Sequence, residues 1–185
     1  PFRDYVYWVH AQDQQKAESF WKKELQGFNN PTPLPLSITD TPRKGYGREE
    51  FAFDEEFTSA LGDAAKSRRL TLNTVLQGAW AILLNRYSGE DDIVFGSTVS
   101  GSPPAFSEAE TMVGLFINTL PIRIGVRSEQ ALSDWLSELQ IKQAEIREYE
   151  YSSLVDIHKW SGLNPGVPLF RTIVVYENVP VKRSL

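Results

Sequence analysis

Two histidines, His10 and His158, are the only side chains in this chain whose unperturbed charge changes near neutrality, so acid–base chemistry is tested on them first. A general base needs a positioned partner. His10 lies among Tyr5, Tyr7 and Trp8 with Asp13 three residues on, and no serine nucleophile stands beside it. Asp156 precedes His158 by two residues, which places the pair on different faces of a helix. Both histidines read as structural or surface groups. Scattered carboxylates and two distant histidines lack the close spacing of a metal site, so none is expected. The acidic pairs Glu108 with Glu110 and Asp91 with Asp92 read as solvent-facing caps. Gly96 and Gly101 have the spacing of a phosphate loop without its lysine.

A different kind of chemistry is suggested by Met112-Val113-Gly114-Leu115-Phe116-Ile117-Asn118-Thr119-Leu120-Pro121-Ile122-Arg123, where Asn118 and Thr119 interrupt an apolar run. A buried amide is costly unless its donors and acceptors are met. Asn118 therefore either pins backbone or faces a ligand channel, and the residues alone leave both open.

The elements that must position these residues follow from periodicity. Gln12 to Leu25 is an amphipathic helix stopping at Gly27, and Asn29 to Thr41, with three alternate prolines, is an extended arm. Arg48 to Phe53 alternates as an edge strand, and Asp54 caps a helix running to about Arg69. The Lys66, Arg68 and Arg69 cluster is that helix's solvated end. Thr71 caps a second helix, apolar around much of its girth and read as buried, ending near Gly89. Strands follow over Asp92 to Val99 and Phe116 to Val126, separated by a Ser100-Gly101-Ser102-Pro103-Pro104 loop. Helices then span Gln130 to Glu148 and Leu154 to Trp160, before a fully buried strand over Phe170 to Tyr176. This order predicts one α/β or α+β sandwich, a mixed sheet packed against long helices.

Composition narrows the classes. At 41% hydrophobic and 23% charged residues the chain is globular rather than disordered. A net charge of −5 without a basic cluster disfavours nucleic acid. The absence of cysteine rules out disulfides and thiolate chemistry and fits a reducing, cytoplasmic setting. No apolar run approaches the ~20 residues of a membrane helix. The chain opens Pro1-Phe2-Arg3-Asp4, which reads as a piece of a longer polypeptide.

Several blocks together resemble the condensation domains of nonribosomal peptide synthetases. The Val113–Arg123 string is similar to the family's Val-Gly-x-Phe-x-Asn-Thr-x-x-x-Arg motif. Phe20-Trp21-Lys22-Lys23-Glu24-Leu25, the Leu72–Leu84 helix leading to Asp92-Ile93-Val94-Phe95-Gly96, and Pro168-Leu169-Phe170-Arg171-Thr172 through Tyr176-Glu177-Asn178 are further matches. Departures are Arg171 where aspartate is common, Ser102 where many relatives carry arginine, and tyrosines in the Glu148–Ile157 block where a histidine is frequent. The resemblance implies a chloramphenicol-acetyltransferase-like half-domain, the C-terminal subdomain over residues 1–185. The family's catalytic His-His-x-x-x-Asp-Gly motif, which belongs to the N-terminal half, does not occur in these residues. It implies part of an enzyme that forms peptide bonds between carrier-bound aminoacyl and peptidyl thioesters, the fragment alone being inactive. The tunnel and structural candidates are Ser100, Gly101, Ser102, Gly114, Phe116, Asn118, Thr119 and Arg123, with Ser100 to Met112 helping to floor the tunnel. Implied partners are the N-terminal half, upstream and downstream carrier domains and an adenylation domain. No cofactor is held directly; the phosphopantetheine arm of a carrier is the substrate carrier. A carrier-docking module, an epimerisation domain of the same superfamily and a free-standing acyltransferase are the competing readings.

Overall fold

In the computed structural model, residues 2–34, 45–100 and 112–177 are described. Among the described residues, six helices and three strands run in the order α1 (Phe2–His10), α2 (Gln14–Glu24), α3 (Glu55–Ser67), α4 (Leu72–Ser88), β1 (Asp92–Val99), β2 (Asn118–Gly125), α5 (Leu132–Arg147), α6 (Leu154–Ser161) and β3 (Ile173–Val174). The caps explain the helix starts. Asp13 accepts from the N–H groups of Gln15 and Lys16, Asp54 from Phe57, Thr71 from Thr74 and Ser153 from Asp156. Helix α4 closes at Gly89, whose N–H donates to the Asn85 carbonyl.

β1 is the central strand, antiparallel to β2 and parallel to β3. The register pairs Ile93 with Ile124, Phe95 with Ile122 and Ser97 with Leu120, so these side chains share one face. Gln77 of α4 donates to Ser97 Oγ at 2.9 Å, which puts α4 on that face. Val94 and Arg123 share the other face, where Arg123 reaches the end of α2. Ile93 to Ser97 are all buried, as a strand covered on both faces requires. Gly96 lets the Phe170 ring lie against the strand; a Cβ there would meet that ring at 2.6 Å.

The sheet is narrow, and side chains meet its edges. Trp135 Nε1 donates to the Gly125 carbonyl at 2.7 Å and Lys142 Nζ to the Arg123 carbonyl at 2.8 Å, both from α5 onto β2. On the β1 side, the Val94 N–H donates to Thr32 Oγ1 at 2.7 Å, from the proline-bearing arm. Only the part of that arm up to Leu34 lies within the described residues.

Arg123 fastens α2 to the sheet. Its Nε and Nη2 donate to Asp92 at 2.7–3.1 Å, its Nη1 donates to the carbonyls of Glu24 and Gln26 at 3.2 and 2.7 Å, and its guanidinium covers Phe28. Hydrogen bonding from Asp92 raises the Arg123 pKa above its already high value, against the cost of burial. Lys142 closes the cluster through Glu24 at 2.7 Å.

The structure differs from the sequence expectations in five places. Phe2–His10 is helical although its aromatic residues carry no start signal. Residues 48–53 form no strand: none of their backbone groups pairs with a described residue, and Phe51, Phe53 and Phe57 cluster together while exposed. β2 starts at Asn118, not Phe116. The last strand shrinks to Ile173–Val174, with Ile173 54% exposed instead of buried, because it has one strand neighbour. Helix α4 is buried on one side only, leaving Leu76 and Leu83 exposed.

Replacing Arg123 by Met removes two charge-assisted contacts to helix-end carbonyls and strands Asp92. We expect a loss of about 2–4 kcal/mol. Urea unfolding checks this, and a loss within error would show that the cluster does not hold α2 to the sheet.

Candidate functional site

The Val99–Asn118 pair closes one end of the β1–β2 ladder, and Ser100 emerges there, exposed. Asn118 meets three backbone groups. Its Nδ2 donates to the carbonyls of Glu150 and Ser152, both at 2.8 Å, and its Oδ1 accepts the Thr119 N–H at 2.8 Å. Of the two readings open in the sequence, the geometry shows pinning: the amide ties the start of β2 to the turn between α5 and α6. Every polar atom of the Asn118 side chain is thereby used on backbone.

Helix α1 seats on the same node through aromatic rings. Phe116 is approached edge-on by Phe2 at 5.2 Å and Tyr5 at 4.8 Å, and Trp8 meets Tyr151 at 6.0 Å. Gly114 lies so close to the Phe2 ring that a Cβ there would clash with it. Phe20 stacks on Tyr149 at 4.2 Å, carrying the cluster to α2. Within it lies Glu150, 5% exposed. Burial raises its carboxyl pKa, with Arg147 acting in the opposite sense, and burial first and then Glu150 raise the phenol of Tyr5.

Ser100, Gly114, Phe116, Asn118 and Thr119 are thus brought to one end of the sheet. Arg123 stands toward the other, in its cluster with Asp92. Gly101 and Ser102, like Glu108 and Glu110, lie outside the described residues. His10 is exposed, and His158 Nε2 is 2.7 Å from the Val167 carbonyl, a structural contact. Asp92 is engaged by Arg123 and Asp91 by Asn85, so neither is a bare cap. Among the described residues no group of His, Asp or Glu could hold a metal. Sequence reasoning missed Glu150 and Tyr5, since nothing local marks them as buried neighbours; the tyrosines flanking Glu150 were the available signal.

The sandwich has the fold of condensation domains. A condensation-domain family model matches residues 1–185, and the chain belongs to that family, whose members are parts of nonribosomal peptide synthetases. It is 49% identical over 187 residues to a linear gramicidin synthase polypeptide of Brevibacillus parabrevis, covering 99% of this chain and 4% of that protein. Against chondramide synthase cmdD of Chondromyces crocatus it is 44% identical, covering 100% and 5%. The chain thus spans a small fraction of these relatives. Among solved structures it superposes on the X-domain from teicoplanin biosynthesis with a TM-score of 0.77 at 22% identity, over 93% of this chain and 41% of that one. The starter condensation domain of rhizomide synthetase, solved with C8-CoA, gives 0.63 at 26%, over 87% and 35%.

Two outcomes follow from the node. Asn118→Ala leaves two carbonyls without their donor and should lower unfolding free energy by about 2–4 kcal/mol, read by thermal or urea denaturation. Glu150 has a folded pKa above its unfolded one, so its contribution is fully present below the usual carboxylate range and lost as pH rises through the raised value. Glu150→Gln should therefore gain stability relative to wild type at pH 7 compared with pH 4; an equal difference at both pH values would contradict the assignment.

Proposed function

We propose that this chain is the C-terminal subdomain of a condensation domain that joins carrier-bound aminoacyl and peptidyl thioesters, and that it supplies scaffold and the acceptor-side wall of the reaction tunnel. The supporting observation is the Asn118 node, which orders the Gly114–Thr119 stretch beside Ser100 at one end of the sheet. In this reading the acceptor amine attacks the donor thioester carbonyl. A C–N bond forms, the C–S bond breaks, the amine proton is lost and the donor thiol leaves protonated. Asn118 and Thr119 hold the wall and move no proton. Small polar side chains and backbone groups orient the arriving phosphopantetheine arm, which shortens the search for a productive geometry. The partners are an N-terminal half carrying the proton-transfer residues, upstream and downstream carrier domains and an adjacent adenylation domain, all in the cytoplasm. The isolated 185 residues would not catalyse.

A second reading, a docking module on the same fold, draws on one observation. The X-domain that superposes at 0.77 has also been solved in complex with OxyB. Fold likeness at 22% identity does not choose between catalysis and docking.

The deciding experiment loads donor and acceptor carriers with aminoacyl thioesters, adds the full-length polypeptide and follows acceptor-bound peptide by mass spectrometry. Peptide formation is expected, with turnover reduced about tenfold or more by Asn118→Ala at a temperature where the variant stays folded. No peptide from a folded wild-type polypeptide would overturn catalysis and favour docking.

A further inference from the structure

Among the described residues Glu150 alone of the ionisable side chains is buried, at 5% exposure. No described group donates a hydrogen bond to its carboxyl. Arg147, at the end of α5, favours the ionised form but makes no ion pair with it, and burial outweighs that attraction. Ser152, two residues on, is buried with its hydroxyl unpartnered, so it does not serve the carboxyl either. A carboxylate out of water needs donors, and without them it keeps its proton.

A glutamate on a surface turn swings into solvent when it ionises. Here that exit is shut. The carbonyls of Glu150 and Ser152 are both held by Asn118 Nδ2 at 2.8 Å, which fixes the backbone on which the side chain stands. On either side in sequence, Tyr149 stacks on Phe20 of α2 and Tyr151 meets Trp8 of α1 edge-on. Water therefore reaches the carboxyl only if an element of the cover moves.

Of the elements around it, α1 is held least. Arg123 and Lys142 tie α2, α5 and β2 to one another, and each of these three places residues in the core. Helix α1 buries none of its residues and is seated on the node by the rings of Phe2, Tyr5 and Trp8. Tyr5 is close enough to Glu150 that the carboxylate, after burial itself, raises its phenol. The other charged groups of the surrounding elements are engaged elsewhere or exposed. Asp13 caps α2, Asp156 bonds to Ser153, and Arg3, His10 and Glu148 are exposed. A helix seated by rings over a carboxyl without donors is a cover that ionisation pushes open.

We propose that Glu150 is a proton-operated latch for α1. While the carboxyl holds its proton, α1 stays on the Asn118 node; when it ionises, α1 lifts and water reaches the carboxylate. Phe2 and Tyr5 brace Gly114 and Phe116, so lifting α1 also frees the stretch that leads into β2. The latch is a property of the packing and stands whether or not that stretch walls a reaction tunnel. Its sign follows from linkage. In the lifted form the carboxyl titrates in its ordinary range, and in the seated form above it. Below the ordinary range α1 is most firmly seated. Between the two values lifting releases a proton, so the lifted fraction grows by up to about tenfold per pH unit, and it levels off above the seated value.

Hydrogen exchange of the full-length polypeptide, read by mass spectrometry between about pH 4 and pH 8, tests the latch. Rates are converted to protection factors, which removes the pH dependence of the exchange chemistry itself. Protection over Phe2–His10 is expected to fall with rising pH, by up to about tenfold per unit, and to change little when urea is added below the unfolding transition. Protection over β1 should depend steeply on urea, because it is lost only on global unfolding. Glu150→Gln should hold the protection of α1 constant with pH, and His10→Gln, which removes the imidazole at the end of the same helix, should leave the wild-type fall in place. A wild-type profile flat with pH over α1 overturns the proposal without any variant. Equal urea dependence over α1 and β1 also overturns it, since α1 would then open only with the whole fold. So does a fall that persists in folded Glu150→Gln or vanishes in His10→Gln. Peptide formation is read separately: its absence leaves the exchange result untouched, and a flat exchange profile leaves the proposed function standing.

Discussion

A three-stranded sheet leaves two outer rows of backbone groups unpaired, and this molecule is organised around where those groups find partners. Along β2 they are met by Trp135 and Lys142 of α5, and along β1 by Thr32 and by the short β3. Each is a tertiary contact that also fixes a helix or an arm. Lys142 does both at once, since one ammonium serves the Arg123 carbonyl and the Glu24 carboxylate together. Burying such groups unpaired would cost about 1–3 kcal/mol each, so edge satisfaction and helix placement cannot be separated.

The same logic runs through the two polar constellations. Asn118 uses its whole amide on backbone, and so holds a turn that local hydrogen bonding alone would leave loose. Between α4, α5 and β1, Thr74, Gln143, Gln77 and Ser97 hydrogen-bond one another in turn, so buried amides and hydroxyls are met by side chains instead. One constellation ties side chain to backbone, the other side chain to side chain, and both hold helices to the sheet.

Legibility in the sequence follows the range of the interactions. Caps are local, so Asp54 and Thr71 mark their helix starts correctly. The apolar run Ile93 to Gly96 with little polar alternation around it gives the bounds of β1 to the residue, because the strand is covered on both faces. The candidate residues Gly114, Phe116, Asn118 and Thr119 come from one short stretch, and the β1–β2 pairing brings Ser100 to the same end of the sheet. What stays hidden lies far apart in sequence. The partners of Asn118 are 32 and 34 residues away, and Gln77 and Gln143 are 66 apart. Helix α1 escapes a local reading because its stability comes from ring contacts with Phe116 and Tyr151 instead of from its own propensities. The alternating 48–53 stretch misleads for the converse reason, since alternation makes a strand only when another strand pairs with it.

That stretch has a practical side. Phe51 is 83% exposed, Phe53 58% and Phe57 48%, stacked into one adhesive patch beside extended backbone that pairs with no described residue. Such a patch invites edge-to-edge association between copies. In the 185 residues handled alone, that aromatic cluster is the place where self-association would begin.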